Sequence, residues 1–156
     1  MRALALVLLS LAEASCTPSP PQYPSDAEMI ANLNENIGAF EDLIQMFRDD
    51  QMTVVHTTWI QPAGGISEER WAAYKDAFER LHLDGGMRTW GGDSIWFVAY
   101  SSGLATGGSG KGYMYKPVDP SPRYQSLDAP PKDLASNVRA YRRARNDWYI
   151  EYSWDD

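Results

Sequence analysis

Cysteine is almost absent from this chain, Cys16 being the only one. A lone thiol closes no intrachain disulfide and builds no thiolate zinc site. Two histidines, His56 and His82, are too few for a histidine-rich metal centre. Basic residues are outnumbered, 14 Lys and Arg against 21 Asp and Glu, for a net charge of −7. Nucleic-acid binding needs a basic face that neutralises phosphates, so no nucleic-acid partner is expected. There is no H-E-x-x-H and no G-x-S-x-G. No catalytic residue, metal ligand or cofactor is therefore assigned, and a non-enzymatic role is expected. Aromatic residues are plentiful, with six tryptophans and nine tyrosines. Apolar residues make up 44% of the 156. A chain of that size and balance buries roughly two thirds of its surface and folds as one domain without staples.

The first residues read as an address. Met1-Arg2 is a short positive start, and Ala3 to Ala12 is an apolar run too short to span a bilayer. Ala14-Ser15-Cys16 follow, and the segment resembles the bacterial lipoprotein signal class. The resemblance implies that residues 1–15 are removed and that Cys16 carries the lipid. Glu13 departs from it, since that class has an apolar residue there. Cleavage after Ala14 competes, because Ala12-Glu13-Ala14 fits the A-x-A pattern. An odd cysteine in an exported chain needs a partner, which a lipid thioether supplies. Residues 16–25 then form a tether: Thr17 to Ser25 holds four prolines in nine residues. An extended Pro-rich segment of that length reaches roughly 30 Å. Thr17, in place of Asp after the cysteine, implies by the same resemblance an outer-membrane destination facing the periplasm. A soluble periplasmic chain is the alternative.

Residues 26–156 are expected to form a single α+β domain, two N-terminal helices packed on an antiparallel sheet of about five strands. Ser25-Asp26-Ala27-Glu28 fits a capping box. Ile30, Leu33, Ile37, Phe40, Ile44 and Phe47 then recur at helical spacing, predicting one long helix ending near Asp50. Between 25 and 50 lie seven acids and one base, so this segment carries −6 of the −7. Thr53 to Ile60 reads as a strand. Ser67 caps a second helix with Trp71, Tyr74, Phe78 and Leu81 on one face, closed by Gly85-Gly86. Ser94 to Ser101 is expected to be a central strand, with Trp96 and Val98 on one face and Phe97 and Ala99 on the other. Gly103 to Gly110 reads as a flexible turn before the strand Lys111 to Lys116. A phosphate loop is excluded there, because Ala105 stands where the motif needs glycine and Gly112 where it needs Ser or Thr. Asn146-Asp147 predicts a terminal hairpin pairing 138–144 with 148–154, although 138–144 also has helical propensity. Lys132, Arg139, Arg142, Arg143 and Arg145 against Asp133 make that stretch +4. It either lies against the acidic helix or gives the molecule a charge asymmetry.

Two surfaces are candidate binding sites. The acidic helix, through Glu35, Glu41 and Asp42, suits a basic protein partner, as in an inhibitor or immunity-type factor. An open sheet face bearing Trp90, Tyr113, Tyr115, Tyr149 and Trp154 suits a protein or an envelope glycan such as peptidoglycan. A hydrolase is the third possibility, with His82 beside Asp84. The order Gly-Ser-Gly-Lys-Gly-Tyr and a closing Trp-Tyr-Ile-Glu-Tyr strand resembles small uncharacterised bacterial exported proteins, which bring no activity with them. The leader yields a direct prediction. Cys16→Ser moves the protein from membranes to the soluble periplasmic fraction; a wild-type protein recovered soluble and starting at Ser15 contradicts lipidation.

Overall fold

A computed structural model describes residues 23–104 and 107–155 of the chain. The leader, Cys16 and most of the tether lie outside them. Among the described residues no helix is long and apolar enough to cross a membrane, and no group of His, Cys, Asp or Glu is arranged to hold a metal ion. The class is α+β.

The expected long first helix is two: α1 (Asp26–Glu35) and α2 (Ile37–Asp49). Asn-rich, Gly-containing sequence between Asn32 and Gly38 favours helix poorly. The Asn36 side chain donates to the Asn32 carbonyl at 3.1 Å and to its Oδ1 at 2.9 Å, and Asn36 itself leaves helical geometry at φ −116, ψ 20. The capping box at Ser25 and Glu28 forms as expected. The next segment is a small hairpin of β1 (Val54–Val55) and β2 (Ile60–Gln61) rather than one strand. Helix α3 (Glu68–Leu81) is capped by Ser67 and stops at His82, which is left-handed at φ 56. The helix therefore ends three residues before the glycines expected to close it. Five strands follow: β3 (Gly86–Thr89), β4 (Ile95–Leu104), β5 (Gly107–Tyr115), β6 (Val138–Arg145) and β7 (Trp148–Asp155).

The sheet has seven strands rather than about five, in the order β2-β1-β3-β4-β5-β7-β6, and every pairing is antiparallel. Helix α3 lies between β2 and β3 in the chain, so the helices are not all ahead of the sheet. Strand β4 is interior, as expected, with β3 and β5 beside it. Most of the glycine-rich stretch expected to be loose turn is paired backbone of β4 and β5. Residues 138–144 pair with β7, which settles the strand against the helix. The outer edge of β6 is met by residues 122–124: Tyr124 donates to the Tyr141 carbonyl at 2.8 Å and Tyr141 to that of Pro122 at 2.9 Å.

All three helices pack on one face. Phe40 is the hub, its ring 5.5 Å from Phe97, 5.0 Å from Tyr113 and 5.5 Å from Trp148. Met29, Leu33, Leu43, Phe47, Tyr74, Phe78, Ile150 and Tyr152 complete this core. At its rim the end of the expected tether is docked. The Tyr23 hydroxyl lies 2.6 Å from Ser109 Oγ, and the Pro24 carbonyl accepts from Lys111 Nζ at 2.7 Å. Asp26, expected on the solvated acidic face, is fully buried instead. Its carboxylate meets Lys111 Nζ at 2.8 Å, Arg142 at 2.5 Å and the Leu127 amide at 2.6 Å. Burial alone would raise its pKa, but Lys111, the Leu127 amide and Arg142 together hold it below the usual range. A depressed carboxylate contributes stability above its unfolded pKa, and that stability is lost as pH falls through the folded one.

Phe97 is fully buried between Phe40 and Trp148. Phe97→Ala is expected to cost roughly 3–5 kcal/mol of unfolding free energy, read by denaturant titration. A loss below about 1 kcal/mol would show that the packing around β4 is wrong.

Candidate functional site

Strand alternation sends every second residue to the face that no helix covers. From β4 these are Trp96 and Val98; from β5, Gly110, Gly112 and Met114. Cross-strand register adds Arg88 opposite Trp96, Glu151 opposite Gly112, Ser153 opposite Gly110, Tyr149 opposite Met114, and Arg139, Tyr141 and Arg143 from β6. Gly112 has a geometric reason. A Cβ there would sit 2.1 Å from the Phe97 carbonyl oxygen and 2.8 Å from the Trp96 Nε1, whereas one on Gly110 would meet the same indole only at an ordinary contact distance of 3.5 Å. Lys111 between them points the other way to Asp26.

The centre of this face is covered by its own side chains. Four interstrand steps of about 4.8 Å separate β3 from β6. Trp90 and Arg139 reach inward from the two sides and meet, the guanidinium carbon 3.6 Å from the indole centroid. Arg88 stacks on the Trp96 ring at 4.2 Å and on Trp90 at 5.2 Å. Such cation–π contacts each contribute about 0.5–2 kcal/mol according to burial. Beneath them Glu151 is fully buried and accepts from Arg139 at 2.5 Å. Burial pushes its carboxyl up to about 7, against the pull of Arg139 and Arg88.

Beside this stack, over β1 and β3, an open cleft of about 190 Å³ is lined by His56, Trp59, Arg88, Trp96, Val98 and Ser101. His56 stacks on Trp59 with ring centroids 5.8 Å apart and planes 20° from parallel. His56 Nδ1 accepts the Thr58 amide at 3.1 Å, so the ring proton sits on Nε2. Burial and the charge of Arg88 lower its pKa. The ring is therefore neutral at neutral pH.

The candidate aromatics are divided between the two faces. Tyr113 is buried in the helix-side core, and its hydroxyl donates to the Met29 carbonyl at 3.2 Å. Tyr115 packs on Trp148 in the same core. Trp154 is exposed but pairs with Ser109 and Val138, which face the helices. Only Trp90 and Tyr149 lie on the helix-free face. Among the acids, Glu35, Glu41 and Asp42 are exposed. Asp26 is buried, Glu28 serves the capping box, and Asp50 accepts from Arg70 at 2.8 Å and from Tyr74 at 2.9 Å. The basic hairpin follows both courses at once. Arg142 and Arg145 reach Asp26 and Asn34 of α1, while Arg139 and Arg143 share the opposite face.

His82 and Asp84 both line a cleft of about 400 Å³ beside Tyr23, Asn32 and Tyr100. Among the described residues no hydrogen bond joins that imidazole to a carboxylate. Arg88, Arg139 and Glu151 were not singled out from sequence. Glu151 had a readable signal, since Tyr149, Glu151 and Ser153 alternate with the more apolar Trp148, Ile150 and Tyr152.

No protein-family model matches the chain, and neither the curated proteins nor the solved structures contain a significant match.

A buried acid with a raised pKa binds more protons folded than unfolded. Its contribution makes stability fall as pH rises from about 4.5 to about 7. Glu151→Gln removes that contribution, so the mutant's stability is expected to fall less steeply over this window. The difference in slope is at most about 1.4 kcal/mol per pH unit. Parallel stability–pH curves for the two proteins would show that folding leaves the Glu151 pKa unshifted.

Proposed function

We propose that this protein is a non-enzymatic binding module of the cell envelope that grips its ligand with the helix-free face of the sheet. A lipid on Cys16 anchors it, with the outer membrane facing the periplasm as its location, and the Pro-rich segment gives the domain its reach. One observation carries the choice of surface. Arg88, Arg123, Arg139 and Arg143 stand on or beside this face around the buried carboxylate of Glu151, on a chain of net charge −7. Trp59 and Trp90 are exposed on the same side, by 48% and 41%. Arginine with tryptophan is the composition that dominates binding hot spots, because both give large contact area with directional polar groups. The face suits an anionic ligand, and complementary charge speeds its capture.

A basic protein on the acidic helices is the second possibility. Exposed Glu35, Glu41 and Asp42 favour it. It is the weaker of the two because Asp26, Glu28 and Asp50 are engaged within the fold. A hydrolase has less support still, since His82 lacks the hydrogen-bonded carboxylate that would orient an acid–base imidazole.

Site-specific photo-crosslinking in intact envelopes separates these surfaces. A photoreactive residue replacing Arg143, exposed on the sheet face, is expected to give a covalent adduct with an envelope component. The same group replacing Glu41 is expected to give none. An adduct from position 41 alone would move the function to the acidic helices and overturn the proposal.

A further inference from the structure

The geometry points to the cleft bounded by His56, Trp59, Arg88 and Trp96 as a subsite for a carboxylate-bearing sugar ring of an anionic envelope glycan. This rests on the helix-free face being the binding surface, and it names what that face holds. Three features of the cleft select the ligand.

The first is the donor-rich character of its polar wall. Arg88 can only donate, and His56, with Nδ1 occupied by the Thr58 amide, has its remaining ring nitrogen as a donor. The Ser101 hydroxyl, which can also accept, adds a further donor. A neutral sugar presents hydroxyls that need both donors and acceptors. A carboxylate presents acceptors alone and complements a fixed cation, and charge-assisted bonds of this kind are about twice as strong as neutral ones. The second feature is the platform. Trp59 is half exposed, and His56 stacks nearly parallel to it, which stiffens the indole. The Trp71 Nε1 donates to the His56 carbonyl at 2.9 Å and fixes the turn that carries both rings. An exposed indole offers a flat apolar surface for the C–H face of a pyranose. The third is size and floor. About 190 Å³, floored by Val54 and Val98, admits one ring and leaves its neighbours to run over the Trp90–Arg139 stack.

An acidic peptide would satisfy the cation, but its Asp and Glu side chains give the half-exposed indole no ring to stack on. A glycan whose units carry both a ring and a carboxylate uses every wall. The lipid anchor and tether proposed above would hold the cleft within reach of such polymers.

The test uses the full chain and a small probe, glucuronic acid, with glucose as the neutral control. Binding is followed by the indole N–H resonances of the six tryptophans. Glucuronate is expected to shift the Trp59 and Trp96 signals saturably, and glucose to have no effect at equal concentration. Arg88→Met is expected to weaken glucuronate binding about tenfold or more. Because Arg88 also packs on Trp90 and Trp96, Trp59→Ala serves as a second variant. It removes a half-exposed ring, should keep the wild-type denaturant midpoint, and is expected to weaken binding about tenfold. Equal shifts with glucose, or full binding by both variants, overturn the assignment. If position 143 crosslinks in envelopes while glucuronate shifts nothing, the face keeps its proposed role and the sugar-acid subsite falls.

Discussion

The carboxylate of Asp26 ties together four parts of the chain that are distant in sequence. It sits at the first residue of α1, fully buried, between Lys111 of β5 and Arg142 of β6, and it accepts the Leu127 amide of the long connection. Asp128 returns the contact by accepting the Asp26 amide at 2.6 Å. Burying one carboxylate is unfavourable unless its charge and lone pairs are met, and here two cations and an amide meet them. Taking away one partner of such a cluster costs roughly 3–5 kcal/mol, because the remaining charge is left uncompensated. The helix layer is thereby fixed to the sheet at one end, while Phe40 fixes it at the centre.

This clasp determines which face of the sheet is left for a ligand. Helices α1, α2 and α3 occupy one side, so the other must bury its apolar centre by itself. Arg139 of β6 and Trp90, which follows β3, close over Trp96 and Glu151 on this face, and Gly112 of β5 leaves room for the indole. The result is a stack of guanidinium and aromatic rings whose outer members are solvent-exposed. Alternation along β6 also divides its cations. Arg142 neutralises Asp26, and Arg139 and Arg143 give the opposite face its positive excess. One strand thus stabilises the fold with one edge of its sequence and supplies the proposed binding chemistry with the other.

Much of this architecture was legible in the chain. Helical spacing of Leu33, Phe40, Ile44 and Phe47 marked the buried stripe, and Ser25 and Ser67 marked both helix starts. The alternation of β4 placed Trp96 and Phe97 on opposite faces. What stayed hidden depends on long-range partners. Gly108 and Gly110 read as a loop although they are paired backbone of β5, and at Gly108 a Cβ would sit 2.6 Å from the Ser102 carbonyl oxygen of β4. Asp26 read as one charge of an acidic helix face because its burial depends on distant partners, Lys111, Arg142 and the Leu127 amide. Trp90 was legible as a binding candidate, but its clasp with Arg139 joins residues 49 positions apart. Tyr113 and Tyr115 were assigned to an open face because alternation gives their shared side without saying which side the helices cover.

The central claim is that the ligand meets the helix-free face. The six indole N–H groups report on it directly, since they are spread over both sides of the sheet. Trp59, Trp90 and Trp96 lie on the helix-free side, whereas Trp148 is buried in the helix-side core. Resonances of the full chain are followed during titration with solubilised envelope glycan. Shifts at Trp59, Trp90 and Trp96 with Trp148 unmoved are the predicted result. Shifts confined to Trp71, Trp148 or Trp154, with the first three unchanged, would contradict the account.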